Sequence, residues 1–139
     1  MKKLLNLAMA YAIAAMAGGV FYREFTKWNH FTGATALGKV HGHLFMLGMA
    51  VFLLAALFAE RFPLAEEKLF QAFLNVYNIG VPLTALMLTV RGILQVRGIR
   101  LSAGADAAVS GAAGIGHILT GAGLILFLLS IKRAVKHET

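Results

Sequence analysis

The sequence has no cysteine, and only 14% of its 139 residues carry a charge. The absence of cysteine excludes a disulfide scaffold, a thiolate metal site and a cysteine nucleophile. A soluble domain has about 25% charged residues and fewer than about 50% apolar ones, whereas 59% of this chain is apolar. The composition is therefore typical of a membrane protein. The many leucine, alanine, isoleucine and phenylalanine residues also exclude a disordered chain.

Four long apolar segments follow one another with short connections between them. A helix that crosses a bilayer needs about 20 mainly apolar residues, and the four segments cover residues 4–22, 36–59, 69–95 and 107–131. They predict an all-α integral membrane four-helix bundle with up-down topology, forming one transmembrane domain over residues 1–139. The first segment also fits a secretory signal, because Lys2-Lys3 precedes it and Ala15-Met16-Ala17 resembles a cleavage site. We interpret this segment as a span.

Most basic residues flank the predicted spans, and four spans place both chain ends on one side of the membrane. Seven flanking Lys or Arg residues lie on that side and five on the other. The positive-inside rule therefore predicts cytoplasmic termini. The net charge of +7 is explained mainly by these positions, so nucleic-acid binding is not expected. The first set is Lys2, Lys3, Arg61, Lys68, Lys132, Arg133 and Lys136; the second is Arg23, Lys27, Lys39, Arg97 and Arg100.

The interiors of the predicted spans contain histidine and arginine but no aspartate or glutamate. Ionisable groups inside a membrane are costly and usually functional. The lack of a membrane carboxylate counts against a proton-coupled drug antiporter of the small four-helix type. The candidate site residues are His41 and His43 in the second span, Arg91 near the end of the third, and His117 in the fourth.

The up-down order brings these candidates into one half of the membrane, because span two begins where span three ends and span four begins. At 1.5 Å per residue, His117 lies about 15 Å into its span, and His41 and His43 lie about 8–12 Å into theirs. Arg91 lies about 9 Å from the end of its helix. This convergence is the strongest functional signal in the sequence.

The directions of the three histidines limit what they can bind together. His41 and His43 are separated by one residue, so a regular helix points them about 200° apart. One of them can face into the bundle, and the other must face a neighbouring helix, a second site or a second subunit. The pattern leaves open which one faces inward. His117 shares a face with small residues such as Gly114 and Gly121, which let helices approach closely or leave room for a flat ligand.

This set of residues fits a b-type haem site. Two neutral imidazoles on separate helices can ligate the iron, with the walls of the bundle setting its potential. Arg91 would pair with the haem propionates, because guanidinium binds carboxylate bidentately. No Cys-x-x-Cys-His motif occurs, so covalent attachment is excluded. The residues predict a small b-type cytochrome that uses noncovalent haem b for electron transfer, haem handling or gas binding.

Two other interpretations use the same histidines. His41, His43 and His117 could bind a metal ion or relay protons in a membrane transporter or oligomer, since imidazole suits zinc, copper and nickel. The opposed directions of His41 and His43 count against one ion shared by all three. Alternatively, the histidines only form hydrogen bonds between the helices of a non-catalytic accessory subunit. Whether the protein is an enzyme stays open.

Short motifs in the last three spans resemble those of a known family. They are Lys39-Val40-His41-Gly42-His43-Leu44-Phe45-Met46-Leu47-Gly48, Tyr77-Asn78, Arg91-Gly92 and Gly114-Ile115-Gly116-His117. They are similar to a family of small bacterial membrane proteins known as a domain of unknown function. The resemblance covers nearly the whole chain. It implies a four-helix, multi-pass protein of the bacterial inner (cytoplasmic) membrane and assigns no activity.

The histidine stretch also resembles the second helix of the catalytic subunit of haem–copper oxidases and nitric oxide reductases. A histidine in that helix ligates the low-spin haem. His41 matches that ligand best, since it precedes Gly42, and His43 stays a candidate. The similar segment is short, and the chain has no counterpart of the paired-histidine copper site. The resemblance therefore implies haem ligation but not oxygen reduction.

The first span carries small residues at four-residue spacing, Ala10, Ala14 and Gly18. Such a ladder lets two membrane helices pair closely, so we predict a homo-oligomer within the lipid bilayer. Electron transfer would also require a redox partner, which the sequence does not identify.

Overall fold

The computed structural model describes residues 1–136, which form four long helices and no strand. Helix α1 is Lys2–Trp28, α2 is Leu37–Arg61, α3 is Lys68–Arg97 and α4 is Ala103–Lys136. A short 3-10 turn, Leu64–Glu66, lies between α2 and α3. All four helices are long and apolar enough to cross a membrane, which indicates a multi-pass membrane protein. The predicted all-α class with four membrane-length helices is confirmed.

Helices α1 and α2 lie side by side and run in opposite directions. Tyr22, near the end of α1, lies against Gly38 at the start of α2. Tyr11, eleven residues earlier in α1, lies against Gly48. The Tyr11 ring occupies the space that any side chain at Gly48 would need, so glycine at this position allows the two helices to approach.

Helices α3 and α4 are also antiparallel and pack through glycine. A Cβ at Gly80 would lie 2.5 Å from the backbone nitrogen of Thr120, and one at Gly116 would lie 2.8 Å from Thr84 Oγ1. The two threonine hydroxyls are 3.4 Å apart, and that of Thr120 donates to the Gly116 carbonyl at 2.8 Å. These contacts fix the part of α4 that carries His117.

Aromatic rings from three helices fill the half of the bundle nearer the chain termini. The centroids of Phe73 and Phe127 are 4.8 Å apart, and those of Phe52 and Tyr77 are 5.7 Å apart. With Phe70, these rings form one buried group, called here the aromatic cluster. Offset and edge-to-face packing of this kind stabilises a core beyond the area that it buries. The aromatic cluster therefore joins α2, α3 and α4 at this end.

At the opposite end, hydrogen bonds tie the α1–α2 connection to the last turns of α3. The Thr35 hydroxyl donates to the Gly92 carbonyl at 3.0 Å, and the Ala36 backbone N–H donates to Gln95 Oε1 at 2.7 Å. Helix α3 stops at Gly98, whose φ of 63° is the left-handed conformation that glycine favours. The start of α2 is thus held beside the end of α3.

The middle of α2 is π-helical over Leu44–Ala50, between α-helical Leu37–His43 and Val51–Arg61. A π-helix forms hydrogen bonds between residues i and i+5, so it changes which residues face a neighbouring helix. The buried Tyr77 hydroxyl donates to the Leu47 carbonyl of this segment at 2.8 Å. The sequence pattern predicts one regular helix here. The π-helical segment begins directly after His43.

Candidate histidine site between α2 and α4

The structure brings His43 of α2 and His117 of α4 together. Their ring centroids are 6.3 Å apart, and the ring planes are nearly perpendicular, at 82°. No hydrogen bond joins the two rings in the part of the chain that the structure describes. The pair is therefore a juxtaposition of two imidazoles without a direct bond between them.

Both imidazoles are oriented in the same way by their own helices. His43 Nδ1 lies 2.9 Å from the Lys39 carbonyl oxygen, and His117 Nδ1 lies 2.8 Å from that of Ala113. A carbonyl oxygen can only accept a hydrogen bond, so each Nδ1 carries the proton and donates it. The Nε2 atom of each neutral ring then keeps its lone pair. Histidines that bind metals are commonly held by such a bond from the second nitrogen.

The surroundings of the pair are apolar and open. A groove of about 380 Å³ runs along Gly42, His43, Met46 and Leu47 on α2. On α4, His117 is exposed. Side chains at Gly42 of α2, and at Gly114 and Gly121 of α4, would meet no atom within 4 Å. We call this groove on α2, together with the open space beside His117, Gly114 and Gly121 on α4, the histidine cleft.

His41 lies away from the histidine cleft, on the side of α2 that packs against α1. A Cβ at Gly19 of α1 would lie 3.7 Å from His41 Cβ. The Nδ1 atom of His41 is buried and, within residues 1–136, has no hydrogen-bond partner. It therefore lacks the bond to the preceding turn that orients His43 and His117. The opposed directions expected for His41 and His43 are seen here as contacts with different helices.

Arg91 forms an ion pair that the sequence analysis did not foresee. Its Nη1 donates to Asp106 Oδ1, and its Nη2 donates to Ser110 Oγ at 2.7 Å. Asp106 lies one residue before the predicted fourth span, 107–131. A signal was present, since Asp106, Ser110 and His117 share one face of a helix, at separations of four and seven residues. Arg91 therefore lies beside the same face of α4 as the histidine.

Three histidines around one ion are not seen. Among the described residues, no group of three or more His, Cys, Asp or Glu side chains lies close enough to hold a metal ion. Of the predicted ligand set, the structure gathers His43 and His117 and leaves His41 against α1. The arrangement offers two nitrogen donors on separate helices beside an open apolar space, with an arginine towards one end.

Comparison with known proteins identifies a family and no characterised relative. The family described as "Protein of unknown function (DUF2871)" matches residues 1–134, nearly the whole chain. No curated protein and no solved structure matches. The similarity to a family known as a domain of unknown function is confirmed: the chain belongs to the DUF2871 family.

Proposed function

We propose that this protein is a small integral-membrane b-type cytochrome that holds one haem between His43 and His117. The observation that supports this most is the separation of the two rings, 6.3 Å between centroids. A metal–imidazole bond is about 2.0–2.1 Å long, and the ring centre lies about 1.1 Å behind the bonded nitrogen. Two imidazoles on opposite sides of one metal therefore have centres about 6.2–6.4 Å apart.

The hydrogen bonds that the two imidazole rings make to their own helices also support haem ligation. Each Nδ1 donates a hydrogen bond to a backbone carbonyl, so Nε2 is the nitrogen of each ring that can ligate a metal. An interhelical structural bond between the histidines would need one ring to donate to the other, and the described residues show no such bond. The accessory-subunit interpretation therefore leaves the pair without a role, whereas haem ligation gives a role to both rings.

The residues that line the histidine cleft also fit a flat apolar ligand. Gly42, Gly114 and Gly121 leave the space beside the two histidines free of side-chain atoms. Met46 and Leu47 supply apolar contacts on α2. When bound, haem would supply one-electron redox chemistry. If His43 and His117 both held the haem iron, electron transfer or haem handling would be favoured over gas binding, and electron transfer would need a redox partner.

We choose His43 over His41 as the second ligand because of the helix that each histidine lies against. The short similarity to the oxidase second helix favours His41, which lies instead against Gly19 of α1. His43 lies beside His117, the histidine on α4. We therefore assign the second ligand to His43 and regard His41 as part of the α1–α2 contact.

The setting proposed for this cytochrome is the bacterial cytoplasmic membrane. The distribution of basic residues favours cytoplasmic termini, and with four up-and-down spans the histidine cleft would lie in the half of the bilayer away from the cytoplasm. We also propose a homo-oligomer. Gly18, the last residue of the small-residue ladder on α1, packs against Val40 of α2, which leaves Ala10 and Ala14 exposed for a second copy.

The test is to express the full chain in haem-replete cells and to record its spectrum in detergent. The proposal expects a Soret band and, on reduction, split α and β bands. His43→Ala and His117→Ala should each lose the haem or its low-spin spectrum. His41→Ala is the matched control, because it removes a histidine two positions from His43, and it should keep the spectrum.

A colourless wild-type protein would contradict the proposal. If that colourless protein took up zinc or copper through the same histidines, the transporter interpretation would replace it. A colourless protein that binds no metal would favour the accessory subunit.

A further inference from the structure

Arg91, Asp106 and Ser110 form a small polar group on the face of α4 that carries His117. The Arg91 side chain is 32% exposed and that of Asp106 is 52% exposed. One end of the guanidinium donates to Asp106 and the other to Ser110. Both amino groups of this guanidinium are therefore already engaged within the chain.

This group lies between the histidine cleft and the end of the bundle. Ser110 precedes His117 by seven residues on one helix face, which is two turns or about 10 Å along the axis. On α2, Lys39 precedes His43 by one turn, about 6 Å. Lys39 is exposed. Two cations thus flank the same end of the cleft, one on α2 and one beside α4.

We infer that Asp106 competes with the ligand for Arg91. The Asp106 carboxylate pairs with the Arg91 guanidinium until the acidic group of an entering ligand replaces that carboxylate. The inference rests on the proposed haem site, and it makes that site selective for a ligand that is apolar in its body and carries a free carboxylate at one edge. Arg91 and Lys39 are the positioning residues for that acidic edge. Ser110 keeps the guanidinium beside α4 during the exchange.

The exchange is physically reasonable because the resident ion pair is weak. Partly exposed pairs between arginine and a carboxylate are screened by water and contribute little to stability. An incoming carboxylate that enters with a large apolar body gains the same charge-assisted hydrogen bonds from Arg91. Nothing else in the described cleft neutralises a ligand carboxylate beside α4, since Arg91 is the cation that contacts this face.

The experiment titrates haem into full-length protein prepared without haem, and repeats the titration with the haem dimethyl ester. The ester has the same iron and ring but no free carboxylate. Asp106→Asn frees Arg91 and should tighten haem binding about two- to five-fold. Arg91→Gln should weaken haem binding about three- to ten-fold. With the dimethyl ester, Asp106→Asn and the wild type should bind alike.

Two controls separate this effect from a general change of charge. Glu24→Gln removes a carboxylate from the other side of the bundle, at the same end as Asp106, and should leave both titrations unchanged. In the Arg91→Gln background, Asp106→Asn should no longer tighten haem binding, because the pair acts as a unit.

The outcomes distinguish the inference from the proposed function. If the wild type binds haem through His43 and His117 but Asp106→Asn does not tighten it, the competitor role is wrong and the cytochrome stands. The same holds if Asp106→Asn tightens the ester and the free acid equally. If the wild type binds neither form, the proposed function and this inference both fail.

Discussion

The half of the bundle nearer the termini and the half that carries the histidines are packed differently. In the first, Phe73 and Tyr77 are fully buried, and their centroids are 5.1 Å apart. In the second, His117 is exposed, and a side chain at Gly114 would meet nothing within 4 Å. The first half is built to hold the helices together. The second half leaves open space beside the imidazole nitrogens.

This difference indicates how a small bundle of four helices can hold together and still leave open space beside two of its histidines. Lipid is as apolar as a core side chain, so helices associate through close packing and interhelical hydrogen bonds. The aromatic cluster supplies the packing at one end. At the other end, the Thr35–Gly92 and Ala36–Gln95 hydrogen bonds hold the helix connections. Because these two regions hold the helices together, the histidine cleft does not have to be filled by side chains.

The largest expected effect on stability lies in the aromatic cluster. Phe73→Ala should lower the free energy of unfolding by about 3–5 kcal/mol, because it leaves a cavity among stacked rings. Met46→Ala in the histidine half should change it by less than about 1 kcal/mol, since Met46 is 67% exposed. Equilibrium unfolding in mixed detergent measures both. Equal losses would show that the two halves are not packed differently.

A smaller effect is expected where glycine sets the contact of α3 with α4. Gly116→Ala should destabilise the protein by about 1–3 kcal/mol, because the new methyl group would lie 2.8 Å from Thr84 Oγ1. Gly111→Ala, on the same helix but facing open space, should be neutral or stabilise it by up to about 1 kcal/mol. Melting temperatures compare the two variants. A stable Gly116→Ala would mean that α4 does not pack on α3 through this glycine.

The smallest expected effect concerns the link between the two halves. Tyr77 belongs to the aromatic cluster, yet its hydroxyl bonds to the Leu47 carbonyl in the π-helical segment beside His43. Tyr77→Phe keeps the ring and removes this bond, so it should cost about 0.5–1.5 kcal/mol. Amide hydrogen exchange should accelerate in residues 44–50 more than elsewhere in α2. Uniform exchange across α2 would argue against this link.

Much of the fold could be predicted from the sequence, because the membrane imposes simple requirements on it. Long uncharged segments closed by pairs such as Lys132-Arg133 mark the helices without reference to tertiary packing. Short connections between those helices then predict an up-down order, which puts His43, Arg91 and His117 at one end. Both steps depend on length and connectivity alone.

The identity of the paired histidine could not be predicted, because it depends on the rotation of α2 about its axis. That rotation is set by packing details, such as the Tyr11 ring against Gly48, and by the π-helical segment that follows His43. Apolar periodicity is weak in a helix that is apolar on all sides. Asp106 was missed for another reason. It lies one residue outside the predicted span, whereas α4 begins at Ala103.

The most direct test of the central claim is low-temperature electron paramagnetic resonance of the oxidised, haem-loaded protein. Ligation by His43 and His117, whose ring planes are 82° apart, predicts a strongly anisotropic low-spin signal of the type that near-perpendicular imidazoles give. That signal should disappear in His43→Ala and in His117→Ala and persist in His41→Ala. A high-spin wild type, or a low-spin signal that survives the loss of His43 or His117, would contradict the account.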